Sequence, residues 1–187
     1  MKGLYAVGLF LISILFDIAI YGLILRLSLQ FFRVSMHNPV SQAIAKLTNF
    51  AVLPLRKILP TSRVIDTASL TLLVGVLFLK MLIFPLFYTS TILPIAYLIL
   101  FTLIGLIIYP CKFFFFAILI RVVLSWISPG FNNPVVQALY PITEPLLRMG
   151  RKIIPDISGL DFSPFIVSLL LILIPLFLTA YVPPQLF

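Results

Sequence analysis

RKILPTSRVID occupies residues 56–66, and RKIIPDISGLD occupies residues 151–161, 95 positions later. Each reads Arg-Lys-Ile-aliphatic-Pro, then five residues, then Asp, and each stands just before a long apolar run. Sliding the chain 95 places along itself aligns residues 26–70 with 121–165 without a gap, and 13 of the 45 columns are identical. The identities include Arg26/Arg121, Asn38/Asn133, Pro39/Pro134, Thr48/Thr143, Arg56/Arg151, Lys57/Lys152, Pro60/Pro155 and Asp66/Asp161. The chain therefore reads as two copies of one unit, residues 1–93 and 94–187, each a helix, a loop and a second helix.

Of the 187 residues, 62% are hydrophobic and 10% charged, with a mean hydropathy of +1.23. An ordinary soluble domain is about 45–50% apolar, so an integral membrane protein is expected. A membrane-crossing helix needs about 20 mainly apolar residues. Four segments qualify, at about 4–32, 67–88, 94–128 and 164–182. The first apolar run continues past residue 25 with no small-x-small cleavage site, so it reads as an uncleaved helix, not a signal peptide. The first and third segments are too long to stand upright, and Pro110 supplies a kink for the third. Splitting that segment at Pro110-Cys111-Lys112 would give five helices. The repeat matches 96–128 to 1–33 as single units and selects four. Two spans per unit insert both copies the same way, related by an axis along the membrane normal. The expected fold is an all-α membrane protein of four transmembrane helices in two parallel tandem repeats.

Lysine and arginine set the orientation. Loop 33–66 carries Arg33, Lys46, Arg56, Lys57 and Arg63, and loop 129–163 carries Arg148, Arg151 and Lys152. The link at 89–93 and the tail at 183–187 carry none. The positive-inside rule then puts both loops in the cytoplasm and both termini outside, with Lys2 as a weak contrary vote. The net charge of +8 is assigned to the cytoplasmic membrane face, and no nucleic-acid partner is expected.

Asn38-Pro39 and Asn133-Pro134 read as helix starts, because Asn is a strong N-cap and Pro is favoured at the first helical position. Ser163-Pro164 repeats the device, Asp66 is a candidate cap for the second span, and Asp161 holds the matching position. Pro60 and Pro155 end the helices before them. Each loop thus holds a short amphipathic helix. In the first, Val40, Ala43, Ile44, Leu47 and Ala51 form an apolar stripe. In the second, a segment opening at Thr143-Glu144-Pro145 places Arg148, Arg151 and Lys152 on one face and Leu146, Met149 and Ile153 on another. With Arg56 and Lys57 in the first loop, these cations either anchor the protein or contact anionic lipid headgroups or a protein partner.

Three charges fall near mid-membrane: Asp17, Lys80 and Lys112. Asp17 and Lys112 are equivalent positions in the two copies. A charge in lipid is expensive and needs a partner, so Asp17 is expected to pair with Lys112, with Lys80 as second choice. Such a pair serves either function or helix register. Arg26 and Arg121 lie nearer the cytoplasmic edge and can snorkel. Tyr109, Trp126 and Tyr181 read as belt or packing aromatics, and Phe113–Phe116 as a lipid-facing and packing run. Cys111 is the one cysteine and His37 the one histidine. No disulfide, metal site or cofactor is expected from so few ligands, and no nucleophile–base set suggests an enzyme.

The second copy carries Leu124-Ser125-Trp126, Asn133-Pro134, Thr143-Glu144-Pro145-Leu146-Leu147, Arg151, Ile154-Pro155 and Gly159-x-Asp161-Phe162-Ser163-Pro164. In this pattern, over nearly its whole length, the chain resembles the YggT (YlmG) family of bacterial and chloroplast membrane proteins, in its duplicated four-span proteobacterial form. The first copy departs from the pattern, with Asn49-Phe50 for Glu-Pro and Ala68-Ser69 for Ser-Pro. The resemblance implies a multi-pass protein of the bacterial inner membrane with no established catalytic activity. It links the chain to extracytoplasmic or osmotic stress and ion homeostasis, or to cell division and membrane-complex biogenesis. A scaffold acting through its basic loops is the alternative to an ion-homeostasis role, and the partner could be a second copy or another membrane protein.

Overall fold

The computed structural model describes residues 2–59, 66–89, 92–127, 133–153 and 161–182. Among these the chain is all helical: α1 (Lys2–Phe31), α2 (Pro39–Arg56), α3 (Thr67–Thr89), α4 (Ile95–Ile127), α5 (Pro134–Ile153) and α6 (Ser163–Thr179). Pro60, Arg63, Ile154, Pro155 and Gly159 lie outside the described residues.

Among the described residues three helices are long and apolar enough to cross a membrane: Leu4–Phe31, Thr67–Tyr88 and Ile95–Ile127. α6 is equally apolar in character but has 17 residues, which at 1.5 Å per residue is about 26 Å. It stops at Thr179, short of the expected 182, as the chain approaches Pro183-Pro184. Proline disfavours helical backbone in the residue before it. α4 runs unbroken through Pro110-Cys111-Lys112, so the alternative split at that point is not adopted.

The amphipathic elements differ from expectation in one respect. α5 does not open at Thr143; it begins at Pro134 and runs through both Pro141 and Pro145. The start signal that operates is Asn133, whose Oδ1 accepts the Val135 N–H at 2.9 Å. The later prolines each remove one backbone donor without stopping the helix. α2 starts the same way. Asn38 Oδ1 accepts the Val40 N–H at 2.8 Å, and Asn38 Nδ2 donates to the Pro134 carbonyl at 2.8 Å, which ties the two helix starts together. α1 ends in a Schellman turn: the Val34 N–H reaches the Leu29 carbonyl at 2.9 Å and the Arg33 N–H reaches the Gln30 carbonyl at 3.1 Å. Arg33 takes the left-handed position at φ 54°.

α4 is the hub, packing on α6, α3, α5 and α1, while α1 packs chiefly along α3. One core cluster joins Ile20, Leu23 and Ile24 of α1 to Val52 of α2, Leu73 and Leu77 of α3 and Tyr109 of α4. Another joins Ile118 of α4, Leu147 of α5 and Val167 and Leu171 of α6. α5 and α6 meet at Gly150. A Cβ there would lie 2.7 Å from Val167 Cγ2 and 3.0 Å from Ser163 Cβ. Gly150→Ala is therefore expected to destabilise the fold by ~1–3 kcal/mol despite its better helix propensity, measured by denaturant titration in micelles.

Candidate functional site

Two polar assemblies stand out against the apolar helices. The first lies between the spans. Lys80 Nζ of α3 donates to Asp17 Oδ1 of α1 at 2.6 Å and to the Tyr109 hydroxyl of α4 at 2.6 Å. The Tyr109 hydroxyl donates in turn to Asp17 Oδ1 at 2.8 Å, closing a triangle. The ammonium also lies 5.5 Å from the Phe84 ring centroid and 5.3 Å from that of Tyr109, both favourable for a cation. Tyr21 packs edge-on to Tyr109 at 5.6 Å. The Lys80 side chain is 2% exposed and that of Asp17 36%.

This corrects the expected pairing of Asp17 with Lys112. Asp17 faces α3 because α1 packs mainly along that helix, and Tyr109, one turn before Lys112, fills the approach from α4. Lys112 is part-buried and makes no hydrogen bond or ion pair among the described residues. Tyr109 was not expected here. Its position midway along 94–128, away from where belt tyrosines sit, was the available signal. Trp126 and Tyr181 are exposed.

The second assembly is a pair of arginine clips, made of contacts that recur 95 residues apart. Arg26 reaches from α1 to Thr48 Oγ1 at 2.5 Å and Asn49 Oδ1 at 2.8 Å. Arg121 reaches from α4 to Thr143 Oγ1 at 2.9 Å and Glu144 Oε2 at 2.8 Å. Thr48 and Thr143 each donate to the carbonyl four residues back. Arg56 then forks onto Asp66, and Arg151 bonds Asp161 at 3.1 Å and Glu144 at 2.9 Å. Each clip fastens a long helix to the amphipathic helix and the amphipathic helix to the start of the next apolar one. The caps work within the same clips. Asp66 accepts from the Ser69 hydroxyl at 2.7 Å, and Asp161 accepts the Ser163 N–H at 2.8 Å.

Four arginines are held by side chains of the chain itself. Arg26 is buried, and Arg121 lies 4.3 Å from the Tyr140 ring. Arg56 and Arg151 pair with carboxylates and keep 34% and 33% of their side chains exposed. Of the cations expected at the surface, Lys57, Arg148 and Lys152 remain exposed. The clips also differ from each other. Among the described residues Arg121 and Arg151 meet two carboxylates, Glu144 and Asp161, whereas Arg26 and Arg56 meet one, Asp66, because Asn49 stands where the second copy has Glu144.

Burial works to raise each carboxyl and is outweighed in all three. Hydrogen bonds from Arg56 and Ser69, with the charges of Arg56 and Arg26, hold Asp66 below the ordinary carboxylate range. Arg151 and Arg121 do the same for Glu144, and Ser163 and Arg151 for Asp161. Arg151 is raised in return, first by its hydrogen bonds to Glu144 and Asp161.

The outward faces of α2 and α5 are open. The α2 stripe is split: Val40 and Ile44 pack inward near Leu29 and Ile142, while Leu47 points out. Leu47, Phe50, Leu53 and Ile58 are exposed beside Lys46 and Lys57, with Phe50 at 82%. On α5, Arg148, Met149, Lys152 and Ile153 are exposed. A cavity of about 470 Å³ along α5 is lined by Tyr140, Glu144, Arg148, Met149 and Lys152 among others. Among the described residues no three His, Cys, Asp or Glu side chains gather as a metal site.

Known proteins are similar to this chain in sequence. A chain of Escherichia coli K12 with the printed name uncharacterized protein YggT is 36% identical over 169 residues, covering 88% of this chain and 85% of the relative. An uncharacterized protein of Pseudomonas aeruginosa is 37% identical over 182 residues, covering 93% and 89%. One of Haemophilus influenzae is 39% identical over 150 residues, covering 80% and 79%. No solved structure matches the chain. The sequence profile of the CCB3/YggT family matches residues 5–87 and 97–182. With both segments matched and such relatives along most of its length, the chain belongs to the CCB3/YggT family.

Proposed function

We propose that this chain is a non-enzymatic scaffold of the bacterial inner membrane that supports assembly of a membrane complex. In this reading α1, α3, α4 and α6 all span, as two parallel tandem repeats. α2 and α5 lie at the cytoplasmic interface, and both termini are periplasmic. The clip contacts that recur at 95 residues and the two segments matched by the family profile support the repeat. The observation that carries the scaffold role is that two amphipathic helices are clipped to the long helices while their outward faces stay apolar and cationic. Phe50, Leu53 and Ile58 suit the acyl boundary, and Lys46, Lys57, Arg148 and Lys152 suit anionic headgroups, with the cavity along α5 as a cradle.

One observation favours a second reading, support of ion homeostasis under osmotic stress: the Asp17 carboxylate is part-exposed rather than sealed. Four helices make a thin wall, so an ion path would need a homo-oligomer. The test is K⁺ and Na⁺ flux in proteoliposomes, run beside in vivo complementation. The scaffold predicts no flux above empty vesicles, and loss of complementation when Lys46, Lys57, Arg148 and Lys152 are all changed to Gln in a protein that still inserts. Flux that disappears in an Asp17→Asn variant shown to insert and fold would replace it with the ion-homeostasis reading.

A further inference from the structure

Lys112 is the charge that the intramembrane centre leaves over. It lies midway along the 33 residues of α4, 15 residues from the Ile127 end, or about 22 Å at 1.5 Å per residue. A lysine stem reaches only about 6 Å, short of the level of Arg121, nine residues or about 13 Å further along α4. The side chain is part-buried and unpaired among the described residues, three positions after Tyr109, whose hydroxyl meets Lys80 and Asp17. Asp17 is already held by Lys80 and Tyr109. At this depth the chain places two lysines and one aspartate, and only Lys80 meets the carboxylate. A second copy of the chain would not correct the excess, because it brings the same two cations and one anion. The missing charge has to come from another molecule.

The surroundings say what kind. Phe116, Leu119 and Val123 follow Lys112 at i+4, i+7 and i+11, which puts all four on one stripe of α4, and the three apolar members are exposed. We propose that this stripe docks a spanning helix of a partner membrane protein, with an Asp or Glu at mid-depth of that helix meeting the Lys112 ammonium. This rests on the membrane-spanning scaffold reading and names the chemistry of its partner. Polar groups facing each other across helices in lipid contribute to association, and here the side chain on one of the two helices is already in place.

The probe is a synthetic 23-residue Leu/Ala helix with one central Glu, labelled for energy transfer and reconstituted with the full-length protein in phosphatidylcholine vesicles. Matching helices carry Gln or Lys instead. The Glu helix is expected to associate about tenfold more tightly than the Gln helix, and the Lys helix more weakly than either. Lys112→Met should bring the Glu helix down to the Gln level, while Lys112→Arg keeps the preference. Equal binding of the Glu and Gln helices, or a preference that survives Lys112→Met, overturns the proposal. So does Lys112-dependent energy transfer between copies of the chain that excludes the Glu helix. Cysteine labelling of Tyr97→Cys and Ile127→Cys from the two sides separates a chain that fails to span from one that spans and does not dock.

Discussion

Asp17→Asn lowers stability by about 3–5 kcal/mol, the usual cost of stranding a buried charge. The stranded group is Lys80, whose side chain is 2% exposed and whose other polar partner is the Tyr109 hydroxyl. Lys80→Met costs less, because the carboxylate it abandons is part-open and keeps the Tyr109 hydrogen bond at 2.8 Å. The double variant recovers much of the loss, since an apolar replacement of the whole pair leaves no uncompensated ion. Unfolding by SDS titration in mixed micelles, taken around the full double-mutant cycle, measures the coupling. Single losses that simply add would show that the two side chains do not depend on each other.

The second large effect is at the start of α3. Asp66 has no exposed surface and carries the Arg56 fork, the Ser69 hydroxyl and, at 3.5 Å, the Arg26 guanidinium. Asp66→Asn leaves Arg26 buried beside Arg56 with no carboxylate between them, at an expected cost of about 3–5 kcal/mol. Asp161→Asn makes the same chemical change in the other clip. There the carboxylate is 37% exposed and Arg151 retains Glu144, so the cost should stay within about 1 kcal/mol. The pH dependence has a definite sign. The folded Asp66 carboxyl is held below its unfolded value, so its contribution is full above about pH 4–5 and is lost as pH falls through the folded value. The stability gap between wild type and Asp66→Asn should be flat from about pH 5 to 8 and close only in more acid solution. A gap that instead closes between pH 6 and 8 would point to a different group.

Much of this molecule is legible along the chain. Four apolar runs fall on α1, α3, α4 and α6 to within a few residues, because a run of about 20 apolar residues has few other stable forms. Asn38 and Asn133 announce α2 and α5, because a cap acts over two or three residues and needs no tertiary partner. Thr143-Glu144-Pro145 misleads as a start, since a proline that would end an isolated helix is tolerated inside one already capped and packed.

By itself the sequence determined the apolar runs, the asparagine caps, the offset of 95 residues and the family, all of which are local or periodic signals. Only the tertiary structure decided who pairs with whom. Lys80 rather than Lys112 takes Asp17, Tyr109 joins them, and Arg26, Arg56, Arg121 and Arg151 turn inward. The physical reason is rotational phase. A helix that is apolar on every side has no stripe to say which residues face which neighbour, so the facing side chains are chosen by how α1, α3 and α4 pack together.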